Sequence, residues 1–168
     1  MKADNTTLPT LTGPVSAAGP ASLVLTLPYD ARKRSRQRVQ LADGRQAALV
    51  LARGTVLRGG DYLTLEGGHS VVVDAANETV STVFADSALL LAKVAYHLGN
   101  RHVPLQVCAD WLRYQHDHVL DAMVRGLGAR VVVQSAAFEP EGGAHSGGHH
   151  HAHEDDHEDN HDGHHHHH

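Results

Sequence analysis

The sequence predicts an α+β protein: a small all-β domain at the N-terminus, then a ferredoxin-like βαββαβ domain, then a disordered histidine-rich tail. Three observations carry this. Short β-branched or alternating segments recur between turn residues up to about residue 76. After Asn77 the hydrophobic period moves from two toward 3.6 in two places. From Gly142 the apolar signal stops, and 12 of the 17 histidines of this 168-residue protein lie beyond that point. The expected divisions are 1–76, 77–143 and 144–168.

Residues 1–21 are polar and broken by Pro9, Gly13, Pro14, Gly19 and Pro20, which reads as a loose lead-in. Strands are expected over Ser22–Leu27, Arg38–Leu41, Ala47–Leu51, Thr55–Leu57, Tyr62–Leu65 and Ser70–Val73. Turn signals separate them at Asp43-Gly44, Gly59-Gly60-Asp61 and Gly67-Gly68. In the second half, Leu91, Val94, Ala95 and Leu98 share one helical face, with Asp86 or Ser87 as N-cap and Gly99 as the stop. Leu120, Met123, Val124 and Leu127 repeat the spacing, with Asp117 as cap, Asp121 four residues before Arg125, and Gly128 ending the run. Glu78–Phe84, Val103–Val107, Trp111–Tyr114 and Arg130–Gln134 read as the strands around them. Residues 142–168 hold only Ala144 and Ala152 as apolar side chains, too few to offset the entropy of ordering.

Composition removes several classes. The single cysteine, Cys108, can form neither an internal disulfide nor a paired-thiolate metal knuckle, and it is expected in or beside a strand in a reducing compartment. No apolar run approaches the roughly 20 residues that cross a bilayer, and the N-terminus lacks an unbroken apolar signal segment. A soluble cytoplasmic protein with no membrane contact is expected. The net charge of -5 is unevenly placed. Residues 144–168 carry six carboxylates and no cation, leaving 14 Lys and Arg against 13 Asp and Glu in the body, a net +1.

The basic run Arg32-Lys33-Arg34-Ser35-Arg36-Gln37-Arg38, if extended, places Arg32, Arg34, Arg36 and Arg38 on one face. That stripe reads as a charged edge strand, as a docking surface for an acidic protein, or as a nucleic-acid contact. Nucleic acid is the weakest of the three, because stacking aromatics are scarce and Phe84 and Phe138 are the only phenylalanines. No nucleic-acid partner is expected.

The histidines are the chemistry. Imidazole suits Ni2+, Cu2+, Zn2+ and Co2+, and its reference pKa of about 6.5 leaves it largely neutral near neutral pH. In the tail, His145, His149, His150, His151, His153, His157 and His161 are interleaved with acids, whereas His164 through His168 also read as the remnant of an affinity tag. In the body, His116 and His118 flank Asp117 where an extended segment enters the second helix. Their rings share a side if that segment is extended and diverge if both residues are helical, so they read either as a ligand pair or as two exposed polar residues. By spacing alone, His102 is an ordinary loop histidine, His97 a residue suited to a helix C-terminus, and His69 a turn residue.

Tyr96-His97-Leu98-Gly99-Asn100-Arg101-His102-Val103-Pro104-Leu105-Gln106, followed by Arg113-Tyr114-Gln115-His116-Asp117-His118-Val119-Leu120, resembles the signature of the UreE family of urease accessory proteins, which are nickel metallochaperones. Phe138-Glu139-Pro140 ahead of a histidine-rich terminus continues the likeness, which spans most of residues 22–143. The resemblance implies a homodimer whose N-terminal β domain meets partner proteins, namely other urease accessory proteins and the urease apoprotein complex. It implies that each subunit gives His102 to a Ni2+ site at the dimer interface, with His116 and His118 as a more peripheral pair. A two-fold axis would turn one weak imidazole into two donors on one ion.

The leading reading is therefore Ni2+ delivery for urease assembly, by ligand exchange and without catalysis; Zn2+ or Cu2+ would also bind. A passive histidine-rich metal buffer is the alternative, for which the tail alone would suffice. A metallohydrolase is disfavoured, since there is no His-Glu-x-x-His and no base beside a fixed histidine cluster. Because imidazole binds metal only when neutral, tail capacity is expected to fall steeply as pH drops through about 6.5. Calorimetric Ni2+ titration at pH 7.5 and pH 5 checks this, and undiminished binding at pH 5 contradicts it.

Overall fold

In the computed structural model, residues 7–16 and 20–142 are described. The expected histidine-rich tail, with His145, His149, His150, His151, His153, His157 and His161, lies outside the described residues.

Strands β1 (Thr10–Val15), β2 (Leu23–Leu27), β3 (Arg36–Gln40), β4 (Gln46–Val50), β5 (Tyr62–Leu65) and β6 (His69–Ala75) form one six-stranded sheet, ordered β2-β6-β5-β1-β4-β3. Alternation drives it: Leu23, Leu25 and Leu27 point into the core and Val24 and Thr26 point out. With Leu11, Leu49, Leu57, Leu63, Val71 and Val73 they build the first core. The second unit follows as β7 (Asn77–Phe84), α2 (Ala88–Gly99), β8 (Gln106–Val107), β9 (Trp111–Gln115), α3 (His118–Gly126) and β10 (Arg130–Ala137). Its antiparallel sheet is ordered β10-β7-β9-β8, the ferredoxin-like arrangement expected. Val94 and Leu98 of α2 and Val124 of α3 pack on Val83, Leu112 and Tyr114 of that sheet, making a second core. Ser87 caps α2 by accepting from the Leu90 N–H at 3.1 Å, and Asp117 caps α3. Gly128, at φ 98°, turns the backbone out of α3 toward β10.

Four expectations need correction. The lead-in is not loose throughout, because Thr10–Val15 is a strand, parallel to β4 and antiparallel to β5. Its Gly13-Pro14 pair, which reads as a breaker, sits where the register shifts between Thr12 and Val15. Gly13 has φ 143°, and a Cβ there would come within 2.9 Å of Leu63, so only glycine lets the strands close. Thr55–Leu57 is not a strand, since the Thr55 N–H turns back to the Ala52 carbonyl and the Leu57 carbonyl is taken by Arg32. The expected strand Val103–Val107 shortens to Gln106–Val107, because Pro104 has no N–H and the Leu105 carbonyl accepts from Glu141 instead.

The fourth correction concerns Arg32. It does not lie on an extended stripe but ends a single helical turn, α1 (Tyr29–Arg32), with its side chain fully buried. Its Nε donates to the Leu27 carbonyl at 3.2 Å and its Nη1 to the Leu57 carbonyl at 3.0 Å. Nη1 also meets Glu139 Oε1 at 3.2 Å, and Nη2 donates to the Phe138 carbonyl. Arg34, Arg36 and Arg38 stay exposed, the last two on β3 at the sheet edge. Replacing Arg32 by Met would keep the aliphatic stem but remove the donor to the Leu57 and Phe138 carbonyls and the positive charge beside Glu139, while the Leu27 carbonyl keeps the Ala76 N–H. We expect a loss of about 3 kcal/mol or more, read as a lowered denaturant midpoint.

Candidate metal-binding site

The last turn of α2 positions His102. The helix ends at Asn100, whose N–H donates to the Tyr96 carbonyl at 3.0 Å. The backbone then reverses, with the His102 N–H on the Gly99 carbonyl at 2.9 Å and the Val103 N–H on the Leu98 carbonyl at 3.4 Å. Closing this turn puts His102 at φ 55°, and it is the only non-glycine residue with positive φ among the described residues. The left-handed region costs an L-residue about 1 kcal/mol or more, and such strain tends to survive where a side chain must be aimed. The imidazole is exposed. On the same helix Leu89 and Tyr96 are each 66% exposed, with Lys93 exposed between them.

The segment that follows β10 returns to the same place. There the Glu139 N–H donates to Gln106 Oε1 at 3.0 Å and the Glu141 N–H to the Leu105 carbonyl at 2.8 Å. The histidine-rich segment therefore leaves the fold beside a residue three positions from His102.

His116 and His118 take the intermediate geometry. His116 follows β9, its N–H extending the ladder to the Thr79 carbonyl at 3.1 Å. Asp117 is extended, at φ -146° and ψ 121°, and His118 is the first helical residue. The segment is thus extended through the cap, the case in which alternate side chains share a side, and both histidines are exposed. Their surroundings differ. His118 has open solvent around a helix start, whereas the His116 Nδ1 lies 3.1 Å from Ser81 Oγ and 3.4 Å from Asp121 Oδ2. Among the described residues, no three His, Cys, Asp or Glu side chains converge on one point.

Asp121 was legible in the sequence only as a helix partner for Arg125. Its Oδ2 lies 3.8 Å from Arg125 Nη2, while its Oδ1 accepts from the Tyr114 hydroxyl at 2.7 Å. Asp121 is only 2% exposed. The available signal was its place three residues before Val124 on the core-facing side of α3, where an acid needs buried partners. Burial, then the hydrogen bond to Asp121, hold the Tyr114 hydroxyl above the usual phenol range, so it remains a donor. Cys108 is half-buried just after β8, as expected.

The class these observations define is a two-part protein, a β-rich unit followed by a ferredoxin-like one that exposes imidazoles at a strained turn and at a capped helix start. Likeness to known proteins narrows the class. Residues 6–76 match the family model described as the UreE urease accessory protein, N-terminal domain, and residues 78–168 match its C-terminal domain. The protein is 58% identical over 123 residues to the urease accessory protein UreE of Proteus mirabilis (strain HI4320), covering 73% of its own length and 76% of the relative. It is 61% identical over 132 residues to that of Alcanivorax borkumensis, covering 75% of each, and 54% identical over 136 residues to that of Alkalilimnicola ehrlichii, covering 81% and 83%. The chain belongs to the UreE urease accessory protein family, whose members are accessory proteins and not enzymes.

The Asp117 cap supplies a test of how the helix start is held. Its carboxylate accepts from the Val119 and Leu120 N–H groups at 2.8 and 3.0 Å, and these bonds lower its pKa below the ordinary carboxylate value. A depressed folded pKa means that the cap contributes fully above the ordinary value and is lost as pH falls through the folded one. Asp117→Ala should lower the thermal midpoint at pH 7, and the gap from the unmodified protein should close once the pH falls below the ordinary carboxylate range.

Proposed function

We propose that this protein is a cytoplasmic nickel metallochaperone of urease maturation: a homodimer that collects Ni2+ on its tail and holds one ion between two copies of His102. Delivery goes to the urease apoprotein with its other accessory proteins. The observation that carries the reading is the His102 turn, a strained left-handed backbone at the end of a helix that exposes Leu89 and Tyr96. One imidazole supplies one of the three or four donors an ion takes, so the shell needs donors from elsewhere. A second copy packed along Leu89 and Tyr96 would bring its own His102 to the axis. Solvent or the tail completes the shell: His145 lies four positions after Glu141, a reach of at most about 14 Å.

In this reading the chemistry is exchange of nitrogen ligands. His145, His149, His150, His151, His153, His157 and His161 capture metal, and His116 and His118 offer an intermediate station. Imidazoles exchange without the tight closure of a thiolate cage, which suits a protein that must release its cargo. The same donors take Zn2+ or Cu2+, so preference for nickel rests on geometry and supply. The N-terminal β domain, residues 1–76, serves as the partner-docking unit, and residues 77–143 as the unit that binds metal and dimerises.

His102→Ala in the full-length protein should abolish the tightest Ni2+ event, one ion per dimer, and leave most of the total capacity. Calorimetry combined with sedimentation reads both the stoichiometry and the dimer. Survival of the tightest event, or a monomer at micromolar concentration, would overturn the assignment. A protein ending at residue 143 should keep that one ion and much of its urease activation, whereas a passive buffer would lose nearly all function.

A further inference from the structure

We infer that buried Asp121 is a positioning residue for His116: its carboxylate, 3.4 Å from the ring, fixes the proton on Nδ1 and leaves Nε2 as the only metal donor of that ring. The inference rests on the reading of His116 as a metal ligand and adds to it which atom binds and what sets it.

The place of the proton follows from which groups can donate. An Asp121 carboxylate can only accept, and its Oδ1 receives the Tyr114 hydroxyl proton at 2.7 Å. The second carboxylate oxygen, Oδ2, lies 3.4 Å from His116 Nδ1 and likewise can only accept. Ser81, fully buried on the facing strand, sets its Oγ 3.1 Å from the same Nδ1, and a hydroxyl accepts there as readily as it donates. The carboxylate therefore decides the matter: Nδ1 carries the proton, with the Ser81 Oγ as a second acceptor. The neutral ring then has its lone pair on Nε2, at the edge left to solvent by a side chain 37% exposed. A carboxylate behind a ligating imidazole fixes its tautomer and raises its basicity, and losing such a partner costs about 10- to 100-fold in metal affinity. His118 has no equivalent support among the described residues' hydrogen bonds, so the two histidines are unequal donors.

The test uses the full-length protein, with the His116 ring signal assigned by its loss in His116→Ala. Long-range 15N–1H correlation of the metal-free protein should show the proton on Nδ1. A proton on Nε2 would overturn the inference, and that measurement needs no variant that could fail to fold. Asp121→Asn presents an amide N–H toward the ring and should move the proton to Nε2. The Ni2+ concentration at half-loss of the His116 signal should then rise about 10- to 100-fold, with the His102-dependent event unchanged. Asp121→Asn with unaltered tautomer and midpoint would overturn the inference. Absence of any Ni2+ effect on His116 in the unmodified protein would remove His116 as a ligand, and the inference with it. Loss of the His102 assignment alone would leave the tautomer and the His116 midpoint standing.

Discussion

One buried guanidinium sets where everything else in the molecule can be. Arg32 gathers carbonyls from the end of β2, from the loop before β5 and from the segment after β10, residues separated by up to 106 positions in sequence. A charge without access to water is tolerable only because four acceptors surround it, and removing any of them would leave part of the buried guanidinium without a partner. Its neighbour Glu139 also accepts the Gly59 N–H at 2.6 Å, and Phe138, fully buried, stacks edge-on to Tyr29 at 5.3 Å. The N-terminal sheet and the exit from the C-terminal sheet are thereby one packed object. From that object Glu139 and Glu141 reach across to Gln106 and Leu105, next to the His102 loop.

His102 and His116 are held by different physics. His102 is aimed by backbone alone: the helix terminates, the turn closes, and a positive φ throws the ring outward. His116 is aimed by side chains, through Ser81, Tyr114 and Asp121 beneath it. A backbone-set ring tolerates change around it provided the turn survives. A ring set by a polar network depends on every member being satisfied.

Much of this was legible in the sequence where periodicity and capping agree. Both helices, the Asp117 cap, the Ser87 alternative and the four-strand order of the second sheet follow from residue spacing. What stayed hidden was non-local. Gly13-Pro14 reads as a break until Leu63 is seen packed against it, and Arg32 reads as one cation in a basic run until its carbonyl partners arrive from distant segments. Asp121 lay in view as half of a helix ion pair, yet its partners Tyr114 and His116 come from the preceding strand and its exit, so only folding reveals the network. The same limit applied to His102, where spacing showed a loop but not the left-handed turn.

The tie between Glu141 and Leu105 makes the appended segment unequal along its length. Whatever path that segment takes, its first imidazole, His145, is leashed within about 14 Å of the tie, whereas the last, His168, has about 97 Å of contour. Lengthening or shortening the far end leaves the reach of His145 as it is. Inserting residues between the knot and the first ring would change who can meet whom.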